Sequence, residues 1–252
     1  LIAHEDYDGR FDPHVWIVPE LWADAVGAVR TKQATELVTD LDRKVEDFLL
    51  EGLTHHFPGD SFMAEESGDS GAGSGRTWYI DPLDGTTNYA HGYPFFSISV
   101  ACADSEKLML GSVFAPYLDE LYLAHDQGGA VLMRPVHGSS RPLERRGPVT
   151  LTSSLLATGF PYVRDAVVDR NTGHVADFLK ARCHGVRRGG SAAIDLAHVG
   201  AGRLDGYFEL TVDQAVPFTI EASYTGYESV QVEITGSEDE LVIGLVEGGV
   251  TI

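Results

Sequence analysis

Trp78-Tyr79-Ile80-Asp81-Pro82-Leu83-Asp84-Gly85-Thr86-Thr87-Asn88 places an aromatic and β-branched triplet directly before two acids and a Gly-Thr-Thr turn. Trp, Tyr and Ile favour a pleated, half-buried surface, so residues 78–80 read as the end of a strand. Asp81 and Asp84 follow on the turn leaving it, with Pro82 fixing φ between them and Gly85 freeing the backbone after them. Such a turn aims two acids at one point. Hard oxygen donors beside the exposed N–H groups of Gly-Thr-Thr suit a divalent cation and a phosphate together. Standing alone, the run also reads as an ordinary Asp/Gly/Asn-rich loop, so its neighbours carry the decision.

Upstream, Thr39 opens a helical pattern with Asp42 three residues on, an acidic relative of the capping box, and Leu41, Val45, Phe48 and Leu49 form one apolar stripe. Pro58 and Gly59 stop that helix after the surface pair His55 and His56. Phe62-Met63-Ala64 leads into Glu65-Glu66-Ser67, and the Gly/Ser-rich residues 68–75 read as a flexible lead to the central strand. Downstream, residues 95–103 and 108–117 read as strands joined by a polar turn, followed by strands at 121–124 and 128–133 and a polar, basic connection over 134–147. Residues 151–158 read as a strand and 167–182 as a helix with Val168, Val175, Phe178 and Leu179 inward. Gly189-Gly190-Ser191 then precedes a helix over 192–201, whose N-terminus is a second candidate for binding an anion or hydroxyl groups. His198 on that helix reads as a packed or capping residue, and a strand over 204–210 brings in Glu209.

Composition narrows the classes. The 252 residues suffice for a substantial core, and 43% hydrophobic content with a mean hydropathy of −0.07 describes a soluble globular chain. With 38 Asp and Glu against 18 Lys and Arg, the net charge is −20, which argues against nucleic-acid backbones and anionic membranes as partners. So acidic a surface also fits a salty or metal-rich setting. Cys102 and Cys183 show no metal-ligand spacing and read as free thiols in a reducing compartment, and no apolar run reaches membrane-spanning length, so a cytoplasmic location is expected.

In this order, the chain from about residue 32 to 210 resembles the inositol monophosphatase family of magnesium-dependent, lithium-sensitive phosphatases. Three segments carry the likeness: Glu-Leu-Val-Thr-Asp-Leu-Asp at 36–42, Glu-Glu-Ser at 65–67 and Asp-Pro-Leu-Asp-Gly-Thr-Thr-Asn at 81–88. Gly190-Ser191-Ala192-Ala193 and Gly206-Tyr207-Phe208-Glu209 extend it. The resemblance implies an α/β, layered αβαβα sugar-phosphatase fold and hydrolysis of a small polyol or sugar phosphate, foremost myo-inositol 1-phosphate, with Mg²⁺ as cofactor. It implies a first metal on Glu65, Asp81 and the carbonyl of Leu83, and a second on Asp84, bridged by Asp81. Thr86, hydrogen-bonded with Glu65, would orient the attacking water, and the amides of Gly85 and Thr86 would help hold phosphate. Gly190, Ser191, Ala192 and Glu209 would meet substrate hydroxyls, and Lys32 and Asp42 match the region of a further, weaker magnesium site. A homodimer is expected by the same resemblance. None of the three strongest segments contains Cys or His, in keeping with magnesium rather than zinc.

Both ends depart from the family, which divides the chain into an atypical segment 1–30, a core 31–212 and a β-rich tail 213–252. His4 and the Asp12-Pro13-His14-Val15-Trp16 run resemble a segment of zinc-binding solute receptors. The family continues past the equivalent of Glu209 into a Trp-Asp whose acid completes the second metal site; this chain has Ala215-Val216 there, and Asp213 falls three positions early. Instead Phe218, Ile220 and Ala222, then Val230, Val232 and Ile234, then Leu241, Ile243 and Leu245 alternate with polar residues, a three-strand antiparallel pattern. With Tyr224-Thr225-Gly226-Tyr227 between its strands, the tail resembles part of a carboxypeptidase-regulatory-type β-sandwich, as a recombined, engineered or misassembled gene would produce. The alternative to a working phosphatase is accordingly a catalytically impaired or non-catalytic protein of the same fold.

Overall fold

The computed structural model describes residues 29–31, 37–71, 73, 75–105, 107–126, 129–143, 147, 149–160, 166–208, 218–222 and 230–234. Two short strands, β1 (Val29–Thr31) and β2 (Leu37–Thr39), pair antiparallel and lead into helix α1 (Asp40–His56). Thr39 thus closes a strand, and the helix begins one residue later than its pattern suggests. Leu41, Val45, Leu49 and Leu53 recur every four residues along α1 and are all buried, at 0 to 7% exposure. Phe48, expected on this stripe, is 42% exposed, because a helix turns its position away from the 41–45–49–53 row.

That row lies on a large sheet of eight strands: β3 (Ser61–Ala64), β4 (Gly68–Gly71), β5 (Thr77–Asp84), β6 (Ser97–Ala103), β7 (Leu108–Ala115), β8 (Glu120–His125), β9 (Gly129–Arg134) and β10 (Ser139–Pro142). Their order is β10-β9-β8-β7-β6-β5-β3-β4, antiparallel throughout except for the parallel β3/β5 pair. Phe62, Trp78, Ile80, Val100 and Cys102 point from three adjacent strands into the core that α1 covers. Each fully buried aliphatic or aromatic side chain there contributes roughly 1.5–3 kcal/mol by leaving water. The buried Asp60 fixes Trp78 at the centre, accepting its indole N–H at 2.9 Å while pairing with Arg76 at 3.0 Å. Two stretches read as irregular are strands: Gly68–Gly71 pairs at one edge and Ser139–Pro142 at the other. Backbone pairing makes them so, since neither carries an alternating apolar pattern; both are largely exposed.

The second half is built from parallel βαβ units. Strand β11 (Leu155–Thr158) follows a single 3₁₀ turn at Leu151–Ser153 and pairs parallel with both β12 (Gly185–Arg187) and β13 (Gly206–Phe208). Helix α3 (Ala166–Lys180) crosses from β11 to β12, and α4 (Ala192–Gly200) from β12 to β13. Leu179 of α3, expected inward, is 53% exposed. Helix α4 touches β6 and β7 of the large sheet and β11 and β13 of the small one. It meets β6 through Ser97, whereas Val100 and Cys102 face α1, so α1 and α4 take opposite faces of the large sheet. With α3 against β12, the layers run helix, sheet, helix, sheet, helix, as the αβαβα expectation required.

In the tail, β14 (Phe218–Ala222) and β15 (Val230–Ile234) pair antiparallel with Phe218 opposite Ile234, the first two strands of the expected three. The third, 241–245, lies outside the described residues, as do His4, His14, Lys32, Glu209 and Asp213. Cys102 is buried and Cys183 partly so, and both are free thiols. No helix among the described residues is long and apolar enough to cross a membrane.

Candidate active site

The acids of the Asp81–Asp84 run do not leave the strand on a turn; they belong to its distorted end. Strand β5 extends to Asp84, and its register against β6 shifts between Asp81 and Asp84. A bulge of this kind re-aims side chains that would otherwise alternate across the sheet. Asp81 Oδ1 accepts the Leu83 N–H at 3.0 Å, which tightens the bulge. Gly85 follows with φ of 94° and caps the short helix α2 (Thr86–Ala90). A side chain at Gly85 would be strained there and would meet the carbonyl of Gly190 at 3.1 Å.

Glu65 arrives from the neighbouring strand. Its N–H bonds to the Ile80 carbonyl at 3.2 Å, continuing the β3/β5 pairing up to the acids. The turn that carries it is held by Glu46, buried on α1, whose carboxylate accepts the Glu66 N–H at 2.8 Å. Burial first, then the charges of Asp84 and Glu65, push the Asp81 carboxyl up from 3.8 to about 8. Asp81 is thus crowded by two like charges, a cost that a divalent cation would relieve. The donors are all oxygen: Glu65, Asp81, Asp84 and the Leu83 carbonyl, which fits magnesium and not a soft metal. Among the described residues no group of three or more His, Cys, Asp or Glu side chains is arranged so that it could hold a metal ion by itself. Asp84 Oδ2 accepts the Ser191 hydroxyl at 2.6 Å and the Ala193 N–H at 2.7 Å, which fix its carboxylate against the start of α4.

Thr86 has a different partner from the expected Glu65. Its hydroxyl has one proton to share between the Leu83 carbonyl at 2.9 Å and Asp42 Oδ1 at 3.2 Å. Asp42 is 1% exposed in the first turn of α1, so the acid read as a capping residue and a weak metal-site neighbour is a buried partner of Thr86. Close by, the hydroxyl of the fully buried Tyr89 has no hydrogen-bond partner among the described residues. Burial and the Asp42 charge push its pKa up.

The second half of the site comes from the loop before α4. Asn88 donates to the Phe95 carbonyl at 2.6 Å and to the Gly189 carbonyl at 2.9 Å, stitching the α2 side to residues 189–191. Gly190 has φ of 89°, and a Cβ on it would strike the Asn88 amide at 2.8 Å. Ser191 caps α4, accepting the Ile194 N–H. Glu46, Ser97 and Asp195 join the site without a motif of their own, whereas Asp42 closes the 36–42 segment. Asp195 is buried in the first turn of α4, and its carboxyl is raised to about 7 by burial and then by the charge of Asp84, while the Gly189 N–H acts against that rise. Only the spacing of Asp195 four residues beyond Ser191, on an otherwise apolar helix, hinted at it.

Comparison with known proteins agrees with this arrangement. The Inositol monophosphatase family matches residues 16–217, a span that begins inside the amino-terminal segment set apart above and ends inside the tail. An inositol-1-monophosphatase of Synechocystis is 40% identical over 190 residues, which make up 75% of this chain and 64% of that protein. Nus factor SuhB of Pseudomonas aeruginosa is 35% identical, covering 89% of this chain and 82% of that protein. The crystal structure of extragenic suppressor protein suhB from Bartonella henselae superposes with a TM-score of 0.67 at 34% identity, over 76% of this chain and 72% of that one. Sequence and layer order thus agree, and the chain belongs to the inositol monophosphatase family.

Proposed function

We propose that the protein is a Mg²⁺-dependent phosphomonoesterase that hydrolyses a small polyol or sugar phosphate, foremost myo-inositol 1-phosphate. The observation that carries this reading is the oxygen-only acid cluster of Glu65, Asp81 and Asp84 next to a threonine hydroxyl backed by the buried Asp42. Glu65, Asp81 and the Leu83 carbonyl would hold one cation, and Asp81 with Asp84 a second. When bound, magnesium neutralises the phosphate, activates water and stabilises the leaving alkoxide. The chain's own contribution is orientation. With its proton turned toward the Leu83 carbonyl and Asp42, Thr86 keeps a lone pair that would accept a hydrogen bond from the attacking water and fix its direction. The amides of Gly85 and Thr86 would donate to phosphate, and Gly190, Ser191, Ala192 and Glu209 would select the hydroxyls of the substrate.

The test is release of inorganic phosphate from myo-inositol 1-phosphate, which should require Mg²⁺, be suppressed by Li⁺ and fall at least a hundredfold in Asp84→Asn, within the range of a lost metal ligand. Turnover unchanged by that substitution overturns the assignment. A panel containing a nucleotide 3′-phosphate and fructose 1,6-bisphosphate separates related specificities.

A second reading, a protein of this fold with weak turnover or none, is favoured by the absence of a Trp-Asp after Glu209 and by relatives named Nus factor SuhB. It predicts a single weak Mg²⁺ site and no phosphate release from any ester. Those names also set a limit on the charge argument: a net charge of −20 opposes a direct grip on a phosphate backbone but is silent on protein partners. A soluble, cytoplasmic homodimer acting on a phosphorylated small molecule remains part of the reading.

A further inference from the structure

Asp84 is tied to the strand beside it through two buried hydroxyls. Ser97 begins β6 directly opposite Asp84 in the β5/β6 register, and Ser191 caps α4. Both side chains are completely buried. Their hydroxyl oxygens lie 3.1 Å apart, Ser191 Oγ lies 2.6 Å from Asp84 Oδ2, and the Ile194 N–H reaches Ser191 Oγ at 3.3 Å. Counting protons gives the direction of each bond. Two donors, the Ser191 hydroxyl and the Ala193 N–H, converge on Oδ2, which suits an ionised carboxylate that can only accept. The single proton of Ser191 is therefore spent on Asp84, and the proton between the two serines must come from Ser97.

The chain runs Ser97 to Ser191 to Asp84, and each bond polarises the next. A hydroxyl that accepts from both Ser97 and Ile194 is a stronger donor than one accepting from Ile194 alone. Without Ser97, only one long bond from the helix N-terminus opposes rotation of the Ser191 side chain away from the acid. A serine placed in β6 merely as a small filler would not need its proton directed at the cap of another element.

We propose that Ser97 is a positioning residue for Asp84, acting through Ser191 to hold Oδ2 against the start of α4, so that the carboxylate meets its divalent cation and the phosphorylated substrate in one orientation. This rests on the magnesium reading above.

The experiment uses the full chain and compares the parent with Ser97→Ala, Ser97→Cys, Asp84→Asn and the Ser97→Ala/Asp84→Asn pair. Mg²⁺ affinity is read by calorimetry, and exchange of the Ala193 amide is read by hydrogen-exchange NMR without metal. Ser97→Ala should weaken Mg²⁺ binding about tenfold in the parent and have no further effect once Asp84 is Asn. It should also speed exchange at Ala193 several-fold. Ser97→Cys, which keeps the volume and loses the strong donor, should behave like Ser97→Ala and guards against a cavity effect. Unchanged Mg²⁺ affinity together with unchanged Ala193 exchange overturns the proposal, as does an equal loss in the Asp84→Asn background. Should the parent bind no Mg²⁺ and release no phosphate, the proposed function falls, and exchange at Ala193 alone then decides whether Ser97 holds Asp84.

Discussion

Asp42 shows how a single buried residue changes the meaning of a site. An acid three residues after Thr39 looks like part of a helix start, and its side chain would then serve a backbone N–H. In the folded chain it lies against Thr86, 44 positions along, with 1% of its surface exposed. A buried carboxylate is costly unless hydrogen-bonded, and in the proposed mechanism its place beside Thr86 gives it the role of directing that hydroxyl. Asp42→Asn should therefore lower kcat on myo-inositol 1-phosphate by about a hundredfold while KM stays within about threefold, since the lost effect belongs to orientation of water rather than to binding. Steady-state kinetics at saturating Mg²⁺ check this, and a change confined to KM would contradict it.

At the scale of elements, α4 is held at both ends. Its first turn grips Asp84, and the turn after its last residue is anchored by Arg203, which donates to the two oxygens of Glu120 on β8 at 2.6 and 2.7 Å. Tyr122 and Arg134 donate to the same carboxylate, which is almost fully buried. Arg203 also reaches His198 Nε2 at 3.0 Å, and since Arg only donates, that nitrogen is the acceptor in this contact. Burial and the Arg203 charge lower the His198 pKa. The hydrogen bonds from Arg203 and Tyr122 outweigh burial at Glu120 and hold its carboxyl down from 4.5 to about 2. A depressed carboxyl stabilises the fold above its unfolded pKa and loses that contribution as pH falls. The parent should therefore lose stability between about pH 4.5 and 2 through this group, whereas Glu120→Gln should show no such component. Glu120→Ala should cost on the order of 3–5 kcal/mol in urea denaturation at pH 7, because it leaves the Arg203 charge without its partner.

For the molecule as a whole, the dominant force beyond the core is self-repulsion. A net charge of −20 on 252 residues, with 18 basic residues to offset 38 acidic ones, destabilises any compact state at low ionic strength. Raising salt shortens the screening length from about 30 Å at 0.01 M to about 3 Å at 1 M, so the unfolding midpoint should rise by several degrees across that range. Calorimetry in NaCl with a chelator present separates this from specific metal binding; a midpoint independent of salt would show that the acidic groups are already compensated in the fold.

The central motif, its strand and its oxygen-donor chemistry were legible because they depend on local rules: β-branched and aromatic residues pair, glycine takes a positive φ, and carboxylates choose hard cations. Leu41, Val45 and Leu49 were legible for the same reason, through a helix period. The edge strands Gly68–Gly71 and Ser139–Pro142 were not, since partners across the sheet rather than their own side chains make them strands. Nor was the bulge that turns Asp81 and Asp84 together, which is a mismatch between two strands and belongs to neither alone. Most of all, the partners of the reactive groups escaped: Asp42 for Thr86, Glu46 for the Glu65 turn, and Ser97 and Ser191 for Asp84, separated by 13 to 107 positions along the chain. A hydrogen bond depends on distance and angle in space, and only packing brings such residues within 3 Å. The amino-acid order alone thus marks the family motif and its oxygen donors, while the stacking of two sheets around α4 decides which hydroxyl serves which acid.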